Sequence, residues 1–256
     1  MTVVLLYHDI VDADARDASG FPGRLAARYK LTPASFEAHL DAVAATGISI
    51  GTLEPDRPLP RAAFSFDDGG RSALAAAEAL ERRGWRGHFF VATSFVGRDG
   101  FLDSDGVRSL AAHGHTVGSH SHLHPTYMGR LGREEIDREW TGSRERLAGI
   151  LGEPPLVASV PGGFVSREVI EGARGAGYRI LLTSEPSTRA VRYGTLMVVG
   201  RFGVWSTTPA ARAVAYVSES RTAAARLWLE WNAKGIAKRI TPRAYQALRH
   251  VRARRA

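Results

Sequence analysis

Short apolar runs alternate along the chain with longer segments in which apolar side chains recur every three or four positions. The short runs are typical of buried strands, and the longer segments are typical of amphipathic helices. They predict strands over residues 3–6, 62–66, 88–92, 115–118, 156–160, 179–183 and 196–204. They predict helices over about 33–46, 71–83, 105–112, 133–151 and 167–176, with Thr32, Ser104 and Ser166 as the N-caps of the first, third and fifth. A further helix is predicted to start at Thr208 and Pro209. This alternation predicts a parallel α/β sheet, either an open doubly wound sheet or a nearly closed barrel.

Residues that can carry out chemistry follow the ends of four predicted strands. They are His8 and Asp9, then Asp67 and Asp68, then His120, His122 and His124, and finally the turn Pro161-Gly162-Gly163. The C-terminal ends of parallel strands meet at the same edge of a sheet, and α/β proteins place their active sites there. We therefore expect these residues to lie close together.

Histidines are concentrated in one short segment, because residues 113–124 hold five of the nine in the chain. His120 and His124 are four positions apart, so one helical turn would direct both toward the same ion. With one added carboxylate they form a set that leaves positions open for water and substrate, as catalytic metal sites do. Of two adjacent carboxylates, one can hold the ion while the other takes a proton from water.

Each motif also has an ordinary structural explanation. Taken alone, Asp67-Asp68-Gly69 is typical of a strand-to-helix turn capped by aspartate, and a histidine near a strand end is often structural. The two motifs together favour a functional site. The chain has no cysteine, which excludes disulfides, Cys-ligated metal sites and thiol catalysis.

Two segments resemble the signature motifs of the polysaccharide deacetylases that carry the NodB homology domain. Ser65-Phe66-Asp67-Asp68-Gly69 matches the Thr/Ser-Phe-Asp-Asp-Gly motif of that family, and His120-Ser121-His122-Leu123-His124 matches its His-Ser/Thr-x-x-His motif. The resemblance covers about residues 1–205 and implies a distorted (β/α)-barrel of about seven parallel strands, followed here by C-terminal helices. It also implies that Asp67 is the general base and that Asp68, His120 and His124 hold a divalent metal, usually zinc.

Two further motifs of the family differ in this chain. Ser159 stands where the family commonly has an arginine that orients the base, and Arg201 on the last predicted strand is a candidate replacement or a salt-bridge residue. The late Leu-x-Leu-His motif is missing, but Leu6-Tyr7-His8-Asp9 is similar to the Tyr-His motif of the branch that acts on poly-N-acetylglucosamine. That likeness implies that His8 is the general acid. Gly162, through its backbone, and Arg201 are the candidates for contact with the substrate or the oxyanion.

These residues predict a metal-dependent hydrolase that removes N-acetyl groups from an amino-sugar glycan or a lipid-linked glycan precursor and releases acetate. The alternative is a catalytically impaired barrel that serves as a glycan- or membrane-associated binding module. The serine at position 159 and the unusual origin of the acid keep that alternative open.

The excess of positive charge lies at the C-terminal end of the sequence. The net charge of the chain is +8, but residues 212–256 hold 11 basic and 2 acidic side chains, whereas residues 1–211 hold 23 and 24. We therefore predict a catalytic barrel over residues 1–211 and a basic helical extension over residues 212–256. Basic amphipathic helices with tryptophan are typical of membrane surfaces, although a pair of helices packed on the barrel would have the same pattern.

The remaining expectations concern partners and location. The charge alone does not indicate nucleic-acid binding, because the chain has no recognisable reader motif. The opening apolar run of about five residues is too short for a signal peptide, and no run of 18 apolar residues occurs. We expect a cytoplasmic protein, and the basic extension adds the inner face of the membrane to that expectation.

Overall fold

Nine strands form a single sheet in the computed structural model, which describes residues 1–163 and 165–218. The strands are β1 (Val3–Tyr7), β2 (Ala62–Phe66), β3 (His88–Val91), β4 (Thr116–Ser119), β5 (Val157–Ser159), β6 (Ile180–Leu182), β7 (Ala190–Tyr193), β8 (Leu196–Val199) and β9 (Phe202–Gly203). The helices are α1 (Arg24–Ala27), α2 (Pro33–Ala44), α3 (Ala73–Glu81), α4 (Ser104–Ala112), α5 (Arg133–Leu151), α6 (Arg167–Gly175) and α7 (Ala210–Val217).

The sheet has the order β7-β8-β6-β5-β4-β3-β2-β1-β9. Among the described residues all strand pairs are parallel except β7 with β8. The sheet curls into a distorted barrel, which confirms the predicted fold class. Strand β7 was not predicted, because all four of its side chains are exposed and it therefore has no buried apolar run.

The predicted strand over residues 196–204 is in fact two strands with different partners. Strand β8 pairs with β6, whereas β9 pairs with β1 on the other side of the barrel. The chain changes partner at Gly200 and Arg201, and a Cβ atom on Gly200 would lie 2.3 Å from the carbonyl oxygen of Glu185. The prediction of one strand was wrong because the apolar pattern continues through the break. We call residues 196–203 the seam of the barrel.

Two of the predicted helix starts are confirmed and one is shifted. The side chain of Thr32 accepts a hydrogen bond from the backbone of Ser35 at the start of α2, and Ser166 caps α6 in the same way. Helix α4 is capped by Asp103 rather than by Ser104. Both residue types are common N-caps, so the sequence pattern does not distinguish the two neighbours.

Side chains of alternate strand residues form two different layers. One set, which includes Tyr7 and Phe89, packs beneath the surrounding helices. The other set, which includes Val4, Ala63 and Phe90, fills the inside of the barrel. Near the C-terminal ends of the strands the interior becomes polar, and the buried side chains there are Ser65, Asp67, Ser159 and Arg201. The active-site candidates therefore lie at the edge predicted for them.

His88 lies inside the barrel near the opposite end. It is fully buried, and its Nε2 accepts a hydrogen bond of 2.8 Å from the backbone N–H of Leu53. Burial, assisted by the positive charge of Arg201, lowers the pKa of His88 to about 3. The imidazole is therefore neutral in the folded protein at pH 7.

Acid is expected to destabilise the metal-free protein through His88, and His88→Gln should remove this contribution. The unfolded chain protonates His88 near pH 6.5, whereas the folded chain resists protonation until about pH 3. The stability it contributes is thus complete above pH 6.5 and falls as the pH decreases through that window. Urea unfolding should show that lowering the pH from 7 to 4.5 reduces the free energy of unfolding of the wild type by about 2–3 kcal/mol more than that of the variant. An equal difference at both pH values would contradict the prediction.

The predicted boundary between residues 211 and 212 falls inside α7. Three residues of this helix, Ala213, Tyr216 and Val217, are buried in the core that α2 also contacts. Residues 219–256 lie outside the described residues, so the basic extension and its surface contacts stay predictions. No helix among residues 1–163 and 165–218 has the length and apolar character needed to cross a membrane.

Candidate active site

Asp67 and Asp68 lie at the C-terminal end of β2 and are both buried. The backbone N–H of Asp67 donates to the carbonyl oxygen of Tyr7 on β1 at 3.0 Å, so strand pairing continues to the first aspartate. Asp68 has a left-handed backbone conformation with φ of 78°, which is uncommon for residues other than glycine. The chain reverses there, and the two adjacent carboxylates reach different neighbours.

The histidine motif after β4 is a loop rather than a helical turn. Ser121 and His124 both have left-handed conformations, with φ of 64° and 57°. The rings of His120 and His124 nevertheless lie with their centres 4.9 Å apart. Helical geometry, which we expected to align them, is therefore not the cause of their proximity. Strained backbone of this kind concentrates at functional sites.

Asp68, His120 and His124 converge, and each offers one ligand atom within 4.8 Å of the others. Oδ1 of Asp68 lies 3.4 Å from Nε2 of His120 and 3.2 Å from Nε2 of His124. Ligand atoms held at about 2.0–2.2 Å from a tetrahedral ion stand about 3.3–3.6 Å apart. The spacing and the donor types therefore fit a divalent ion such as zinc.

The orientation of His120 supports the same assignment. Its Nδ1 lies 3.1 Å from the backbone carbonyl oxygen of Ser159, which can only accept a hydrogen bond. This contact places the proton on Nδ1 and leaves the lone pair of Nε2 directed toward Asp68.

The charges around Asp68 and His120 favour the binding of a cation. Burial alone would raise the pKa of Asp68, but the side chains of His120 and His124 outweigh it and hold that pKa well below its ordinary range. Burial alone would lower the pKa of His120, but Asp67 and Asp68 outweigh it and raise that pKa. The carboxylates thus attract positive charge to the position where the three side chains converge.

Asp67 forms a buried ion pair with Arg201. Nη1 and Nη2 of Arg201 donate to Oδ1 and Oδ2 of Asp67 at 2.6 and 2.8 Å, and its Nε donates to the carbonyl oxygen of Thr183 at 3.0 Å. Burial alone would raise the pKa of Asp67, but Arg201 and His120 outweigh it and lower that pKa. Arg201 is fully buried and pairs with Asp67, so the geometry favours it as the residue that orients Asp67; its contact with substrate or oxyanion stays a prediction.

Ser159 lies between Asp67 and His120 and contacts both side chains. Its Oγ donates to Oδ1 of Asp67 at 3.0 Å and lies 2.6 Å from Nδ1 of His120, from which it can accept. The position where the family commonly has an arginine therefore holds a hydroxyl that contacts both the proposed base and a proposed ligand. The guanidinium group beside Asp67 belongs instead to Arg201, a residue of the seam.

His8 follows β1 and lies on the same edge of the barrel. Its imidazole contributes to the lowered pKa values of both Asp67 and Asp68. The ring of Tyr29 packs against it, with ring centres 4.8 Å apart. His8 thus lies at the same edge of the barrel as the proposed base and the proposed ligands.

Asp9, the neighbour of His8, joins the loop after β1 to the loop after β2. Its Oδ1 accepts hydrogen bonds from Ser19 at 2.6 Å and from Ser72 at 2.9 Å, and Lys30 lies 3.9 Å from its Oδ2. A Cβ atom on Gly70 would lie 2.0 Å from the same Oδ1, so only glycine permits this approach. These contacts fix the position of His8 relative to the aspartates.

Gly162 lies in a tight turn after β5, with φ of 65°. A Cβ atom there would lie 2.2 Å from the carbonyl oxygen of Thr126, so glycine is required for the turn to pack against the loop after β4. The turn therefore borders the histidine loop. Its contact with the substrate or the oxyanion stays a prediction.

Two aromatic neighbours of the site were not predicted from the sequence. Phe21 packs against His124 with ring centres 4.6 Å apart, and Tyr29 packs against His8. Both belong to the long connection between β1 and α2, which has no regular apolar period. The nearby Tyr-His motif is the only sequence signal that could have drawn attention to this connection.

The chain is similar in sequence and in fold to known proteins. A model of the polysaccharide deacetylase family matches residues 55–181. The fold is similar to a polysaccharide deacetylase from Bacillus cereus (21% identity over 84% of this chain and 68% of that one, TM-score 0.70). It is also similar to IcaB from Ammonifex degensii (21% identity over 84% and 96%, TM-score 0.65). The Streptococcus pyogenes deacetylase PplD, solved in complex with acetate, is a third (16% identity over 84% and 97%, TM-score 0.65). No curated protein sequence matches significantly.

Proposed function

Because the chain belongs to the polysaccharide deacetylase family, we propose that it is a metal-dependent hydrolase that removes N-acetyl groups from an amino-sugar glycan and releases acetate. The observation that carries the proposal is the division of labour between two adjacent aspartates. Asp67 is held by a buried arginine, whereas Asp68 converges with His120 and His124. A base beside a metal site is the arrangement that amide hydrolysis by water requires.

In this proposal Asp68, His120 and His124 hold the ion. When bound, the ion polarises the carbonyl group of the acetamide and lowers the pKa of a water molecule. Asp67 is ionised at neutral pH and accepts a proton from the attacking water. Arg201 and Ser159 occupy both lone pairs of its Oδ1, but Oδ2 accepts one hydrogen bond and keeps a lone pair. Oδ2 lies 3.7 Å from Nε2 of His120, on the side of the ligands.

The leaving amine requires a proton, and His8 is the group that we assign to supply it. It follows β1, whereas Asp67 follows the adjacent strand β2, so acid and base are separate groups at the same edge of the barrel. Backbone N–H groups of the turn at Gly162 are the proposed donors to the developing oxyanion. Bond cleavage then gives acetate and a free amino sugar.

A lipid-linked glycan precursor is the finer form of the proposal. Its support is the net charge of +9 over residues 212–256, which would favour an anionic lipid surface. The alternative of an impaired binding module loses part of its basis, because Arg201 occupies the place beside Asp67 that the arginine missing at position 159 would fill.

Acetate release tests the function directly. We expect the protein loaded with zinc or cobalt to release acetate from N-acetylglucosamine oligomers or from a lipid-linked N-acetylated glycan, and the metal-free protein to release none above background. The assay should include a quantitative measurement of bound metal. A protein that binds metal and glycan but releases no acetate from either substrate would establish the binding-module alternative instead.

Arg201→Lys is expected to lower kcat by about 10–100-fold with little change in KM, because an ammonium group replaces a two-pronged contact with a single point charge. The lysine keeps a positive charge beside Asp67 but no longer fixes the plane of its carboxylate. Steady-state acetate release at saturating metal provides the measurement.

Arg192→Lys on the exposed strand β7 is the matched control and should behave as wild type. If Arg201→Lys keeps the kcat of the wild type, Arg201 does not position the base. Thermal unfolding of both variants separates a loss of catalysis from a loss of fold.

A further inference from the structure

Helix α5 packs beneath the loop that carries His120 and His124. Glu139, Gly142 and Ser143 share one face of the helix, because residues three and four positions apart lie on the same side. Glu139 is only 6% exposed, although it belongs to a helix rich in charged residues. Its Oε2 accepts hydrogen bonds of 2.8 Å from the backbone N–H groups of both His122 and Leu123.

The loop needs such an acceptor because its backbone is neither helix nor strand. All four N–H groups from Ser121 to His124 donate to side-chain oxygens. Ser119 accepts from Ser121 at 3.0 Å, Glu139 accepts the next two, and Ser121 accepts from His124 at 3.1 Å. Ser143 of α5 lies 2.6 Å, Oγ to Oγ, from Ser119 and extends this support to the start of the loop.

Two residues of this loop, Ser121 and His124, also have a left-handed backbone conformation. Ser121 and His124 reverse the chain on either side of the two N–H groups that Glu139 binds. Left-handed conformations cost free energy for residues with a Cβ atom and persist only where the surroundings impose them. Glu139 is therefore placed to hold the loop in the form that sets the distance between His120 and His124.

We propose that Glu139 is a positioning residue for the metal centre and sets its affinity by holding the loop between the two histidine ligands. The inference rests on the proposed metal site. Without the carboxylate, two backbone N–H groups lose their acceptor and the loop relaxes toward conformations in which the histidines do not converge. Metal binding then has to restore the strained loop, and affinity falls.

The contacts of Glu139 distinguish this role from catalysis. It binds the backbone of His122 and Leu123 and not the side chains of the ligands, and the ring of His122 is turned toward Thr93, with 2.9 Å between Nδ1 and Oγ1. Removing Glu139 should therefore change metal affinity far more than kcat at saturating metal. A role in the chemical step would change kcat instead.

The test is a titration of metal-free protein with cobalt, followed by absorption spectroscopy and calorimetry. Glu139→Ala is expected to raise the Kd for cobalt by about 10–100-fold, the range for groups that support metal ligands. Glu139→Gln keeps an acceptor oxygen without the charge and should give a smaller increase. Glu145→Ala, an exposed residue of the same helix, is the control and should bind as wild type.

The outcomes separate this inference from the proposed function. If wild type binds cobalt and both Glu139 variants bind it equally well, the positioning role is refuted while the metal site stands. If wild type itself does not bind cobalt, the metal site and the inference that rests on it are both refuted. Should Glu139→Ala fail to fold, Glu139→Gln decides: unchanged affinity overturns the inference, and weakened affinity with kcat retained at saturating metal supports it.

Discussion

Asp67→Asn is expected to lower kcat by about 1,000-fold, within the usual range for removal of a general base. An amide cannot accept the proton of the attacking water, whereas the shape of the side chain and its position after β2 are almost unchanged. The ligand set of Asp68, His120 and His124 remains intact, so the variant should still bind cobalt with an affinity close to that of wild type. Acetate release and cobalt titration on the same sample provide the measurement.

The buried ion pair complicates this variant in a predictable way. Asn at position 67 leaves the guanidinium of Arg201 without its counter-charge, which is expected to destabilise the fold by about 3–5 kcal/mol. The double variant Asp67→Asn/Arg201→Gln has neither charge and should recover part of that stability while remaining inactive. An active double variant would show that Asp67 is not the base.

Asp68→Asn should have the other large effect, a loss of zinc affinity of at least about 100-fold, because it removes a charged ligand rather than a group that only supports one. Asparagine is the appropriate replacement, since it tolerates the left-handed backbone that Asp68 adopts. Activity should fall in parallel at low metal concentration and recover in part when zinc is added in excess. Asp67→Asn, by contrast, should not respond to added zinc.

Asp56→Asn is the matched control for this substitution. Asp56 is also left-handed, with φ of 65°, but its side chain is exposed and pairs with Arg179. The control should therefore retain wild-type affinity and activity. Wild-type zinc affinity in Asp68→Asn would show that Asp68 is not a ligand.

The sequence predicted the edge of the sheet at which the site lies, because parallel strands bring their C-terminal ends together. The segments after β1, β2 and β4 could therefore be placed near one another before any contact was known. The cause of the convergence of His120 and His124 could not be predicted in this way. Their spacing suggests a helical turn, but two left-handed residues held by side chains of the loop and of α5 produce the arrangement.

The sequence did not predict which residues distant along the chain contact the site. Arg201 could be suggested but not placed, because the apolar pattern over residues 196–204 hides the break between β8 and β9. Glu139 looks like one more charge on a solvated helix face, although it lies three positions after the buried Ile136. Its role depends on packing against a loop, and a local pattern contains no record of that contact.

The seam also has a consequence for the timing of activity. A chain made from its N-terminus exposes the proposed ligands and Ser159 well before residue 201 is available. Until the seam bridges β6 and β1, Asp67 lacks the guanidinium group that holds its carboxylate in place. A nascent chain could therefore present a complete set of metal ligands and still be unable to hydrolyse an acetamide. Closure of the barrel would be the step that switches the enzyme on.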